Sequence, residues 1–185
     1  MKKVLLFISA LVMSLNVLAI ELDGVKISQT LNLENQTLQL NGAGIRTKFF
    51  MDLYVGSLYT KNKTSDASNV INSKTPVAIQ LDITSKLITS EKLTDAVNEG
   101  FDKSTGGNIA PLKDRLTAFI EVFKEKIVKG DDFVMFVTPG KGVDVYKNGK
   151  KLTTIEGDDF SKALLGVWLG DQPADTDLKA KMLGS

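Results

Sequence analysis

The stretch TLQLNGAGIRTKFFMDLYVGSLYT, Thr37 to Thr60, reads as two consecutive strands. Thr37 to Lys48 is the first and carries two glycines, Gly42 and Gly44. Glycines inside a strand signal a bulge or the close approach of another group. Phe49 to Thr60 is the second. Its odd positions Phe49, Met51, Leu53, Val55 and Tyr59 make one apolar face, broken by Ser57. Its even positions are mixed. A two-residue period with one apolar face is the mark of a half-buried strand.

Outward from this pair, the upstream chain offers a short strand at Val25 to Ser28 and a polar, turn-like stretch at Leu31 to Asn35. Downstream, Lys61 to Ser73 is polar, with a short helix around Ala67 to Ile71. Pro76 to Thr84 then alternates, with Val77, Ile79, Leu81 and Ile83 on one face. Two helices follow. Thr89 or Ser90 can cap the first, which repeats Leu93, Val97 and Phe101 every four residues. The second carries Leu112, Leu116, Phe119, Ile120, Phe123 and Ile127 on one stripe. Lys124, Lys126 and Lys129 sit near its expected end, where cations suit the helix dipole, and Gly130 can terminate it. Phe133 to Val137 is wholly apolar and predicts a strand covered on both faces. Asn148-Gly149 joins two further strands as a two-residue hairpin. Asp158 opens a helix that Gly170 ends, and Pro173 is expected to open a last short helix.

Strands, two helices, strands and two helices do not alternate as a doubly wound fold does. The expectation is a single α+β domain over residues 20–185, a large mostly antiparallel sheet with helices packed on it. Nothing in the sequence suggests a linker or an internal repeat.

Composition removes several chemistries. The chain of 185 residues has no cysteine and no histidine. Disulfides, thiolate sites and histidine-based acid–base catalysis are therefore out of reach. Charge is balanced, 23 Lys and Arg against 22 Asp and Glu, so composition does not indicate a strongly basic surface for nucleic acid. Asp131-Asp132 reads as a helix-to-strand turn and Asp158-Asp159 as a helix start, so no metal or other cofactor is expected. Pro139-Gly140-Lys141-Gly142 lacks the ending of a phosphate loop and reads as a turn. Only Arg46 and Arg115 are arginines among those 23 basic residues. A guanidinium kept in a lysine-rich chain fits planar, bidentate recognition of a carboxylate or phenolate. An ordinary structural ion pair is the commoner explanation. A tyrosine such as Tyr54 or Tyr59 is more often amphipathic packing than an acid.

The order of several strings resembles the chalcone isomerase fold family. These are Asn41-Gly42-Ala43-Gly44-Ile45-Arg46, then Val55-Gly56-Ser57-Leu58-Tyr59, then Thr89-Ser90-Glu91-Lys92-Leu93. Phe160, Ala163-Leu164 and Trp168-Leu169-Gly170 close the series. The whole looks most like the secreted bacterial members. The resemblance implies a large antiparallel sheet backed by helices, with a cleft between them. It also implies ligand-binding roles for Arg46, Tyr54, Thr89 and Lys92. Arg46 matches the family arginine that holds a phenolate in the enzymes and a carboxylate in fatty-acid-binding relatives. Tyr54 falls near a position held by threonine in the enzymes and tyrosine in the fatty-acid binders. Lys92 matches a lysine near the enzyme cleft. Thr89 and Ala96 fall where plant isomerases have an active-site tyrosine and asparagine. The leading expectation is a non-catalytic binder of a small lipophilic anion such as a fatty acid. An intramolecular lyase closing a flavanone ring and a periplasmic protein-interaction module are the alternatives.

Residues 1–19 read as a signal peptide. Lys2 and Lys3 precede an apolar run from Val4 to Val12, and Val17-Leu18-Ala19 is a small-residue cleavage pattern. The run is shorter than the roughly 20 residues of a spanning helix, so no stable membrane insertion is expected after cleavage. In a Gram-negative source the product would be periplasmic. Intact-mass measurement of exported protein should give a chain beginning at Ile20; retention of residues 1–19 would refute the assignment. Purified protein should give no appreciable chalcone cyclisation, because Thr89 and Ala96 supply neither the phenol nor the carboxamide. Loss of one such donor alone lowers a rate about 10²- to 10³-fold. A rate near that of a plant isomerase on the same substrate would overturn this expectation.

Overall fold

The computed structural model describes residues 19–185. Most of the signal-peptide reading, residues 1–18, lies outside the described residues. Seven strands form one antiparallel sheet in simple sequence order. They are β3 (Thr30–Leu33), β4 (Gln36–Lys48), β5 (Met51–Thr60), β6 (Val77–Ile83), β7 (Asp132–Thr138), β8 (Gly142–Lys147) and β9 (Lys150–Glu156). A separate hairpin of β1 (Ile20–Leu22) and β2 (Val25–Ile27) precedes them. The helices are α1 (Ala67–Ile71), α2 (Ser90–Ser104), α3 (Lys113–Ile120), α4 (Asp158–Leu169) and α5 (Thr176–Met182).

Strand alternation divides the buried side chains between two cores. On the helix side lie Leu58, Ile79, Met135 and Val143, joined by Phe101, Phe119 and Phe160 from the helices. On the other side lie Val55, Tyr59, Ala78, Val134 and Phe136. Ile27 of β2 joins this second core, and Leu22, Val25 and Leu31 pack against it. The apolar run of β7 thus serves both faces, as its sequence requires. The sheet also curls. Glu34, in the β3–β4 turn, accepts a hydrogen bond from the Tyr146 hydroxyl on β8 and pairs with Lys151 of β9 at 3.4 Å.

Four elements depart from the sequence reading. Phe49 and Phe50 are not strand residues. Lys48 pairs with Met51, and the two phenylalanines form the turn between, with φ of 52° and 62°. Three other two-residue turns, Asp23-Gly24, Glu34-Asn35 and Asn148-Gly149, also have positive φ at both positions. They use the residue types that tolerate it, save Glu34. A left-handed conformation costs a bulky residue about 1–2 kcal/mol. Residues 31–33, read as turn-like, belong to β3, where Leu31 and Leu33 meet the second core. The second long helix stops early. Its apolar stripe is buried except for half-buried Ile120, but α3 ends at Ile120 and a 3₁₀ turn at Phe123. Beyond it, side chains claim the backbone: Lys147 Nζ donates to the Lys126 carbonyl at 3.1 Å, and Asp131 accepts from the Val128 amide at 3.0 Å. Such bonds compete with helix propagation. Finally, α5 starts at Thr176 rather than Pro173, because Asp175 caps it by accepting from the Leu178 amide at 2.9 Å.

The glycines of β4 answer to α5. A Cβ on Gly42 would lie 2.1 Å from the Lys181 carbonyl oxygen, and one on Gly44 2.7 Å from Lys181 Cβ. Register slips between Leu40 and Gly42, leaving Asn41 as a bulge. Its side-chain amide donates to the Met182 carbonyl at 2.8 Å and the Thr64 carbonyl at 2.9 Å. Bulge and close approach, the two meanings of a strand glycine, therefore coincide. Gly42→Ala should displace α5 and cost about 1–3 kcal/mol by urea unfolding, the usual range for overpacking. Unchanged stability would show that α5 docks elsewhere.

Candidate functional site

Arg46 lies near the end of β4, directly opposite Tyr54 on β5. Beyond this pair the register slips again: Thr47 pairs with Asp52, and Leu53 is left unopposed. Neighbouring residues of a regular strand face opposite ways. Here the bulge lets Tyr54 and Leu53 both contact the helix-side core.

These residues border a cavity of about 370 Å³ between the sheet and the helices. That volume is within the range of small-molecule sites. Buried side chains form its floor, among them Leu81, Phe119, Phe123, Met135 and Trp168. Exposed Phe49, Met51, Leu87 and Lys92 mark its mouth. The walls are mainly apolar, with Arg46, Lys48, Asp95 and Glu99 as the other charged lining residues.

The polar groups at the floor are matched in one direction only. Trp168 Nε1 donates to the Tyr54 hydroxyl oxygen at 3.0 Å. Indole nitrogen is only a donor, so the tyrosine must accept there. Its own O–H proton remains available for another acceptor. Burial pushes the Tyr54 hydroxyl above its ordinary pKa, although the Arg46 charge and the Trp168 bond oppose the rise. The group therefore stays protonated. Arg46 is half-buried, with its guanidinium carbon 5.9 Å from the centre of the Tyr54 ring. Among the described residues no carboxylate lies within 4.0 Å of it. A half-buried guanidinium without a carboxylate partner, beside a protonated hydroxyl whose oxygen already accepts from Trp168, makes a site rich in donors. That set suits a carboxylate or a phenolate.

The other arginine behaves differently. Arg115 holds Asp159 through two contacts of 2.6 Å and also donates to the carbonyls of Glu156 and Pro111. This bidentate pair lowers the Asp159 carboxyl to about 2. It is a structural tie between α3 and the start of α4. Of the two arginines, only Arg46 lines the cavity.

The structure brings Arg46, Tyr54 and Lys92 to one cavity. Thr89 is outside its lining. It is the exposed N-cap of α2, and its hydroxyl oxygen accepts from the Lys92 amide at 3.2 Å. Ala96 lines the cavity with no polar group to offer. Gly42 and Gly44 leave no space for a ligand, because α5 fills it. Sequence reasoning missed the role of Trp168, the chain's sole tryptophan, although a buried indole N–H usually finds an acceptor. Among the described residues no group of three His, Cys, Asp or Glu is placed to hold a metal ion.

Comparison with known proteins supports the fold. No curated protein sequence gives a significant match. Among solved structures, a crystal structure of an Arabidopsis thaliana fatty-acid binding protein (AtFAP1) superposes with a TM-score of 0.68. Identity is 16%, over 87% of this chain and 92% of that one, so the likeness is one of fold. The family model described as chalcone isomerase-like matches residues 19–184. With nearly all of the described chain matched, the protein belongs to the chalcone isomerase-like family.

Proposed function

We propose that the protein binds a lipophilic anion, with a fatty acid as the best-fitting class, in the cavity between sheet and helices. The observation that carries this reading is the pair of unmatched donors, Arg46 and the Tyr54 hydroxyl, beside an apolar space. An ionised headgroup would take the donors and its chain would take the apolar walls. The solved relative that binds fatty acids supports the reading by shared architecture. Lys92, with Lys48, adds cationic charge to Arg46 on the wall near the mouth, and steers an anion inward. Thr89 acts indirectly, by capping the helix that carries Lys92. The site of action proposed is the periplasm, reached through the signal peptide.

Binding should depend on guanidinium geometry. A charge-assisted hydrogen bond is worth roughly 1.5–3 kcal/mol. Titration with a fluorescent fatty acid should show Arg46→Ala weakening affinity about 10- to 150-fold, at ~1.4 kcal/mol per decade. Arg46→Lys should recover only part, since lysine lacks the bidentate fork. Tyr54→Phe should also lose about 10-fold or more, since its hydroxyl would donate to an ionised headgroup. Equal affinities in all variants that keep native circular dichroism would remove Arg46 and Tyr54 from the site. Mass spectrometry of an organic extract of natively purified protein should also find a stoichiometric acyl chain.

A further inference from the structure

We propose that the tip of the β4–β5 hairpin is a docking element that seats the mouth of the cavity on a phospholipid bilayer containing anionic headgroups. The tip is the turn Phe49-Phe50. Phe50 is fully exposed at 103% and Phe49 is 79% exposed. Both have positive φ, where a bulky side chain is an outlier. Strain of this kind persists when something compensates it. Within the protein the Phe50 ring gains no burial, so its packing does not offset the strain.

The surroundings indicate the partner. Exposed Met51 follows the turn, and exposed Leu87 stands on the β6–α2 connection at the same mouth. Lys48 precedes the turn, Lys86 precedes Leu87, and Lys92 stands on the rim. Among the described residues none of these three lysines has a carboxylate within 4.0 Å. The acids nearby are largely engaged. Glu99 pairs with Lys103 at 2.5 Å, and Asp52 accepts from the Thr47 hydroxyl at 2.7 Å. Asp95 is the other acid on the lining. Exposed aromatic and aliphatic groups ringed by lysines are the chemistry of the membrane interface. Rings enter the acyl boundary while ammonium groups reach phosphates on flexible stems.

Attachment of this type is peripheral and reversible. It needs no spanning helix, and among the described residues none is long and apolar enough to span. Phe49, Met51 and Leu87 belong both to the tip region and to the cavity mouth. A docked protein therefore opens its cavity toward lipid instead of water. The inference stands on the surface alone and does not require the cavity to hold a fatty acid.

Phe50 tests it cleanly, because its side chain is outside the cavity lining. Co-sedimentation with vesicles of phosphatidylethanolamine and about a quarter phosphatidylglycerol, a typical anionic surface, is the measurement. Wild-type protein should partition onto the vesicles, less so at high salt. Phe50→Gly should partition at least about tenfold less, since one buried phenyl ring is lost. Its melting temperature should stay level or rise, because glycine accepts the left-handed turn. Its fatty-acid affinity without vesicles should be unchanged. Phe50→Trp should restore partitioning and show a blue-shifted emission on vesicles relative to wild type. Absence of wild-type partitioning, or equal partitioning of Phe50→Gly, would overturn the proposal. So would self-association of the wild type that Phe50→Gly abolishes, since the tip would then meet a second copy. Loss of fatty-acid binding in the Arg46 variants with vesicle binding intact would separate this proposal from that of the ligand.

Discussion

A sheet that is apolar on both faces has to be covered twice. The β7 run from Phe133 to Val137 sets this constraint, sending Phe133, Met135 and Val137 one way and Val134 and Phe136 the other. The helices cover one face. The β1–β2 hairpin and the curl of the sheet cover the other, with Glu34 reaching across to Tyr146 and Lys151. Each fully buried large apolar side chain contributes about 1.5–3 kcal/mol. The two cores together therefore outweigh isolated departures from ideal geometry, such as the strained turn at Phe49-Phe50.

The cavity exists because covering is incomplete on the helix side. Between α2 and the sheet, at the end of β4 and the start of β5, the packing opens beside Arg46 and Tyr54. In a fully packed core a half-buried guanidinium without a counter-ion would be costly. Tyr54 shows how the fold prepares the site. Trp168 occupies the oxygen, burial keeps the proton, and strand alternation with Leu58 aims the ring at the helix-side core, where the register slip at Leu53 brings that side chain as well. Three separate elements, β4, β5 and α4, meet at one donor cluster.

Much of this was legible from the residues. Alternation in β6, the apolar run of β7 and the Asn148-Gly149 turn were plain because each is a local pattern with one physical meaning. The resemblance carried by Gly42, Gly44 and Arg46 pointed to the family and to Arg46. What escaped was non-local. Gly42 and Gly44 signal the close approach of some group, but no local pattern shows that it is Lys181 of the last helix. Phe49-Phe50 looked like strand because phenylalanine favours strands, and nothing nearby marked a turn. The helix beyond Phe123 was overextended because the groups that end it, Lys147 and Asp131, act from a distance or after the loop. Trp168 falls inside the helix read from Asp158 to Gly170, while its acceptor lies 114 positions away.

The seat of α5 on β4 also bears on the order in which the fold can be completed. Asn41 and Met182 are joined across 141 positions. A chain is synthesised from its N-terminus, and early segments wait for late ones. The meander of β3 to β9 can assemble between neighbours in sequence, which favours rapid formation. The glycine backbone of β4, however, stays uncovered until residues near 180 arrive. During that interval the growing chain presents an unfilled groove in an otherwise formed sheet. Closure of the groove is thus a late event, and it makes the earliest long strand depend on the last helix for its final cover.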